Sequence, residues 1–190
     1  MLLEVAKLTD PTLNIGDLSA LALPDRISGP GAQFILPSFT FRDPKGTRFS
    51  TPSFGAYYAA NDLKTAIYET VHHRTSFMRA TNEPAQDLDQ LLILADLEGH
   101  LHDIRLMRQA LPNIYAPSNY ADSQQLAENL RKSESMGITF QSVRCSSGEC
   151  VAVWCARVLS NAREDRHITY CWDGSKITGY FDKSKYEILP

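Results

Sequence analysis

Between Gly46 and Arg74 the chain reads GTRFSTPSFGAYYAANDLKTAIYETVHHR, which sets an Arg, a Tyr and a Glu at spacings that can converge on one pocket. Each type offers distinct chemistry. A carboxylate stabilises a developing cation, a planar guanidinium forks onto paired anionic oxygens, and a phenol ring stacks on a flat heterocycle. Arg48, one of Tyr57 and Tyr58, and Glu69 are therefore candidate active-site residues.

The elements that position them are readable locally. Arg48 lies in a loop with Pro44, Gly46, Pro52 and Gly55, all turn residues. Ala56 to Ala60 is a short apolar run suited to a strand, in which Tyr57 and Tyr58 point to opposite faces. Asn61 or Asp62 then caps a helix predicted over Leu63 to His73, with Leu63, Ala66, Ile67, Thr70 and Val71 turned inward. Glu69 falls close to that inward stripe. A carboxylate so placed is expensive to bury unpaired, so it requires a cationic partner, a hydrogen-bonding ligand or a cleft. Taken singly, Arg48 also fits an exposed loop cation and Glu69 a solvated helix residue.

Elsewhere, Leu91 to Leu97 (LLILADL) reads as a strand buried on both faces. Asp122 is expected to cap a helix from Ser123 to Met136, stopped by Gly137, which opens a strand through Val143. A further strand is expected over Cys150 to Val158, and Ile168 to Trp172 pairs with Ile177 to Phe181 about the Asp173-Gly174 turn. The Gly29-Pro30-Gly31-Ala32 turn is expected to introduce a strand at Phe34 to Leu36. Together these predict an α+β fold, a single domain with a mixed β-sheet and flanking helices. Residues 1–25, with Pro11, Gly16 and Pro24, have weak periodicity and read as an N-terminal extension; residues 26–190 are expected to form the domain that carries the candidate site.

With 190 residues, 43% of them hydrophobic, the chain can bury a full core. A net charge of −3 gives no general attraction to nucleic acid or anionic membranes. No apolar run approaches the ~20 residues that span a bilayer, and no basic start leads into an apolar signal segment, so a cytoplasmic location is expected. Cys145, Cys150, Cys155 and Cys171 lack the CxxC or paired-His context of a zinc site, so no metal is expected. They read as reduced, mostly buried thiols.

A second segment joins the first. GITFQSVRCSSGECVAVW, from Gly137 to Trp154, follows the Arg-Phe-Ser of Arg48 to Ser50, the Tyr-Tyr-Ala-Ala of Tyr57 to Ala60 and the Ala-x-x-Glu of Ala66 to Glu69. In order and separation these segments resemble the RES domain family, named for an Arg, a Glu and a Ser, the last falling on Ser142. The resemblance spans about Gly29 to Trp172.

RES proteins are toxins of bacterial toxin–antitoxin pairs, similar in fold to ADP-ribosyltransferase toxins, and they act on NAD. The resemblance thus implies breakage of the nicotinamide–ribose bond, with NAD consumed as a substrate rather than held as a cofactor. Glu69 would stabilise the oxocarbenium-like ribose, Arg48 would bind the pyrophosphate, and Tyr58, preferred to Tyr57 by the family's alignment, would stack on the nicotinamide. Ser142 would position the ribose or another site side chain, its alternative being a backbone bond at a strand end. Gly31 would supply a backbone wall of the pocket, its alternative being the turn itself. No Glu here has Gln or Glu two positions before it, the pair that arginine-modifying transferases carry, so water, phosphate or another protein acceptor gains. Neither a GxGxxG fingerprint nor a P-loop is present to hold a recycled dinucleotide or a nucleoside triphosphate. Partners implied by the resemblance are an Xre-type antitoxin inserted over the NAD cleft and, for a transferase, a protein ADP-ribose acceptor. Two other classes stay open: a ribonuclease built on His72, His73 and Arg74, and a non-catalytic binding module. Against the first, adjacent helix residues diverge by about 100°, and His73 is placed to hydrogen-bond Glu69 one turn back.

Overall fold

The computed structural model describes residues 2–7, as backbone, and 15–183. In chain order the elements are β1 (Leu2–Lys7), α1 (Ala32–Ile35), α2 (Pro37–Thr40), β2 (Tyr57–Ala60), α3 (Leu63–Ala80), β3 (Gln86–Leu97), β4 (His102–Asp103), α4 (Ala121–Lys132), β5 (Gly137–Gln141), β6 (Glu149–Val153), β7 (Leu159–Trp172) and β8 (Ile177–Asp182). The strands form one sheet in the order β4-β5-β6-β2-β1-β3-β7-β8. Among the described strands only β4 and β5 run parallel, so the sheet is mixed and the fold is α+β as expected. Its two halves join where β1 meets β2, at the register pair Leu3↔Ala60.

Each face of the sheet carries its own core. On one, α3 and α4 pack Ala66, Ile67 and Ala127 against Ala60, Ile138, Phe140, Cys150 and Ile168. On the other, α1 and α2 pack Ala32, Ile35, Leu36 and Phe39 against Tyr57, Ile93, Val151 and Val153. Consecutive strand residues point to opposite faces, which is why Tyr57 and Tyr58 divide between the two. In β3 the run from Gln90 to Ala95 is buried throughout, as the continuous apolar pattern predicts.

Several expected boundaries move. Phe34 to Leu36 is helical rather than extended, because Ala32, Ile35, Leu36 and Phe39 stand at helical spacing and all are buried on one face. Helix α3 continues past His73 to Ala80, its far end held by buried Met78. Its start follows the prediction: Asp62 Oδ1 accepts from Thr65 N at 2.9 Å. Helix α4 begins earlier than expected, with Tyr120 rather than Asp122 at the N-cap. It ends at Lys132, where the chain turns through Glu134 at φ 59°, so Gly137 opens β5 without being the helix stop. β5 ends at Gln141 rather than Val143, and β6 ends at Val153. Ala156–Val158 then forms a 3-10 turn anchored by the Arg157–Asp25 ion pair at 2.9 Å. The β7–β8 hairpin forms about Asp173 and Gly174 as predicted. Of the expected N-terminal extension, Leu2–Lys7 is a strand between β2 and β3, while 8–14, with Pro11, lie outside the described residues, as do 184–190 of the expected domain. No helix among the described residues is long and apolar enough to cross a membrane.

Candidate active site

Glu69 leaves α3 toward a cleft of about 370 Å³ between that helix, β2, β6 and the start of α4. Arg48, Tyr58, His73, Arg74, Tyr120, Phe140, Arg144 and Cys150 are among its lining residues. Three of the sequence-derived site residues, Arg48, Tyr58 and Glu69, thus share one cavity. Ser142 stands behind Glu69, fully buried, and donates its hydroxyl to Glu69 Oε1 at 2.6 Å. Ser142 Oγ in turn accepts from Arg144 N at 3.1 Å and Cys145 N at 2.8 Å. With two backbone donors fixing its lone pairs, the hydroxyl proton has one direction left, and Glu69 lies along it. Ser142 therefore orients the carboxylate, and no hydrogen bond joins His73 to Glu69 among the described residues.

What brings Ser142 to α3 is a close approach of the β5–β6 loop. Gly148 lies so near Thr65 that a Cβ there would stand 2.3 Å from Thr65 Oγ1. Thr65 is one helical turn before Glu69, and Ser142 N donates to Gly148 O at 2.8 Å. The glycine and the serine thus register the loop against the helix together.

Arg48 is held by a loop that the core grips from several sides. Phe49 is fully buried, with its ring 4.8 Å from Phe140 in edge contact. Its N–H donates to the Tyr58 hydroxyl at 2.7 Å and its carbonyl accepts from Trp154 Nε1 at 2.8 Å. Gln124 of α4 donates to Thr47 O at 3.0 Å. Burial pushes the Tyr58 hydroxyl up to about 12, against the opposing effect of its bond with Thr47 Oγ1, so it stays neutral at physiological pH. That hydroxyl anchors the Arg48 loop and its ring lines the cleft; Tyr57 is core on the opposite face.

Arg48 is 8% exposed, and its Nη1 donates to Ile114 O at 2.8 Å and Ala116 O at 2.9 Å. Its carbon lies 4.7 Å from the centre of the Tyr120 ring. Desolvation lowers its pKa, offset by Tyr120 and Glu69, and an arginine remains charged under any such shift. Nη2 and Nε make no hydrogen bond among the described residues, which leaves one edge of the fork for an anion.

Sequence reasoning missed three lining groups, Arg144, Tyr120 and Cys150, and considered a fourth, Arg74, only for a ribonuclease. Arg144 projects into the cleft from the residue next but one to Ser142, and Tyr120 comes from the α4 N-cap. Arg74 donates from Nε to buried Gln90 at 3.1 Å, and desolvation lowers its pKa. The Cys150 thiol is kept neutral by burial first and by Glu69 second. The signal for Arg144 was its place inside the Gly137 to Trp154 segment; Tyr120 had none, since it depends on a long loop folding back. Gly31, expected as a pocket wall, is not a lining residue. At φ 88° it forms the turn into α1 on the other face, where a Cβ would meet Ala162 O at 2.3 Å. The two imidazoles do not converge on the cleft either: their centres are 5.4 Å apart, His73 lines it, and His72 is engaged with Arg144. Cys145, Cys150, Cys155 and Cys171 are free thiols, the first two buried. No group of three or more His, Cys, Asp or Glu side chains among the described residues is placed to hold a metal ion.

The Arg, Glu and Ser singled out by the sequence lie together here, a carboxylate hydrogen-bonded by a buried serine in a cleft shared with a buried arginine. The RES domain model matches residues 23–173. This chain belongs to the RES domain family. The matched region contains every lining residue of the cleft named above, and of the eight described strands it leaves β1 and β8 outside. The RES chain is also similar to an uncharacterized protein of Sinorhizobium fredii, y4oC, at 26% identity over 196 residues, covering all of this chain and 80% of that protein.

Proposed function

We propose that the cleft binds NAD and breaks the bond between nicotinamide and its ribose, so that the protein is the NAD-consuming toxin of a toxin–antitoxin pair acting in the cytoplasm. The observation that carries this reading is the Glu69 carboxylate, aimed by the Ser142 hydroxyl into a cleft whose other walls include Arg48 and Tyr58. Nicotinamide departs with the bonding electron pair and becomes neutral, so the leaving group needs little acid assistance. The positive charge moves to the ribose, where a fixed carboxylate stabilises it. Arg48 offers Nη2 and Nε to the pyrophosphate, and the Tyr58 ring offers a face to the nicotinamide. The acceptor that adds at the anomeric carbon is water or phosphate, in keeping with the missing Gln/Glu-x-Glu pair. An Xre-type antitoxin that fills the cleft would hold the enzyme inactive in its own cell.

The test is mass spectrometry of NAD, nicotinamide, ADP-ribose, its phosphate and modified proteins after brief incubation with purified wild type and Glu69→Gln. The expected outcome is rapid nicotinamide release by wild type and a loss of about a hundredfold in rate, roughly 3 kcal/mol, in Glu69→Gln with NAD affinity largely retained. Undiminished turnover in Glu69→Gln would remove Glu69 from the chemistry, and intact NAD with wild type would remove the proposal.

A further inference from the structure

Arg48 does not stand alone at its end of the cleft. Arg144 Nη2 donates to Pro117 O and to His72 Nε2, the latter at 2.8 Å. Arg48 Nη1 donates to Ile114 O and Ala116 O. Three carbonyls of one short stretch, 114–117, therefore hold two guanidiniums, and in each arginine both protons of one terminal nitrogen are used. Nε and the other terminal nitrogen make no hydrogen bond among the described residues in either case. Both side chains line the same cavity.

The stretch that does this is itself well fixed. Tyr115 is buried and donates its hydroxyl to Ile104 O at 2.6 Å, Ile114 is buried, and successive turns tie Leu111 to Met107, Ile114 to Leu111 and Ala116 to Asn113. Two like charges brought together on one loop repel, and each lowers the proton affinity of its surroundings; Arg144 is among the groups that lower the Arg48 pKa. Such a pair is maintained at a cost unless an anion accepts from the remaining N–H groups, which are the Nε/Nη2 edge of Arg48 and, in Arg144, separate N–H groups of Nε and Nη1.

We propose that Arg144 is a second substrate-binding residue, which with Arg48 forms a two-guanidinium clamp for a diphosphate, and that neutral His72 is the positioning residue that aims it. The identity of the ligand as NAD rests on the reading above; the clamp itself requires only a diphosphate. Arginine has no acceptor, so His72 Nε2 must accept, which places the imidazole proton on Nδ1. Protonating His72 removes that acceptor and adds a third positive charge. Arg144, His73 and Arg48 all oppose protonation, desolvation opposes it most, and Glu69 alone favours it, so the pKa is lowered from the ordinary histidine value. The clamp is complete above that pKa and loosens as the pH falls through it.

Calorimetry with ADP-ribose, whose diphosphate charge is constant through this range, and with nicotinamide riboside, which has no phosphate, tests the assignment. Arg144→Lys is expected to weaken ADP-ribose binding by about tenfold or more, because one ammonium cannot both keep the Pro117 and His72 contacts and donate to the anion, and to leave nicotinamide riboside within about twofold. His72→Leu should reproduce much of that loss. His72→Gln, which keeps an acceptor at the same reach, should restore affinity and abolish the fall that wild type shows toward acid pH. Wild-type ADP-ribose affinity in Arg144→Lys, or equal losses for both ligands, would overturn the clamp. Inorganic pyrophosphate separates the two readings. If wild type binds it, Arg144→Lys does not, and NAD is never cleaved, the clamp stands and the NAD reading falls. If Arg144→Lys cleaves NAD with an unchanged KM, the NAD reading stands and the clamp falls.

Discussion

Ser142 carries no charge and does not line the cleft, yet the geometry of the site turns on its hydroxyl. It donates to Glu69 and accepts from two backbone N–H groups, so removing it disturbs three partners at once. Ser142→Ala should lower stability by about 1–3 kcal/mol, because buried amides of Arg144 and Cys145 lose their acceptor. It should also lower kcat about tenfold with KM near the wild-type value, since the carboxylate is present but no longer aimed. Denaturant titration and steady-state NAD turnover read the two effects separately, and an unchanged kcat would show that Glu69 needs no such support. Arg48 makes a different kind of contribution. A lysine there keeps the charge and can satisfy one or both loop carbonyls, but it cannot also present a planar fork to an anion. Arg48→Lys should therefore bind NAD about tenfold more weakly by calorimetry, and equal affinity would return Arg48 to a purely structural role as the pin of the 114–117 stretch.

The helix that carries Glu69 could be read from the sequence at its start and not at its end. Asp62 announces the start through its own short-range bond to Thr65, whereas beyond His73 the pattern RTSFMRA dilutes the apolar stripe, and only the tertiary burial of Met78 extends the helix to Ala80. The same division runs through the rest of the chain. Strands β2 and β5, with Arg48, Tyr58, Glu69 and Ser142, were legible because local pattern and family resemblance agree. The helix at Ala32–Thr40 was not, because a three-residue apolar run does not distinguish periods and the decisive spacing crosses Pro37. β1 was missed because its pairing is entirely non-local, and Arg144, Tyr120 and the 114–117 carbonyls because a long loop brings them together. One contact between elements was invisible for a related reason: the approach of Gly148 to Thr65. Thr65 is β-branched, fully buried and bonded through Oγ1 to Asp62 at 2.7 Å, so it cannot swing aside. Gly148→Ala should push the β5–β6 loop off α3, costing about 1–3 kcal/mol of stability and lowering kcat as Ser142 separates from Glu69. Adding Thr65→Ala opens the space again, so the double variant should recover part of the kcat; a double variant no more active than Gly148→Ala would place the defect elsewhere.

Over the whole molecule, charge is distributed against its sum. The chain carries a net −3, while the cleft gathers Arg48, Arg74 and Arg144 around the single carboxylate of Glu69. An acidic exterior gives no general affinity for nucleic acid, and a concave basic interior concentrates small anions, which favours a soluble anionic metabolite over a polymer. On the proposed NAD-consuming reading, that contrast bears on what expression of the protein should do to a cell. If the protein consumes NAD as proposed, one copy turns over many molecules and every redox pathway draws on the same pool, so expression without the proposed antitoxin should arrest growth while cellular NAD falls. Glu69→Gln, expressed to the same level, should do neither. Metabolite quantification alongside growth curves makes the comparison. Arrest with intact NAD and fragmented RNA would replace this reading with a ribonuclease. Arrest with intact NAD and a single ADP-ribosylated protein band would keep Glu69, Arg48, Tyr58 and Ser142 in their places and change only the acceptor, because the chemistry at the ribose is the same whichever nucleophile arrives.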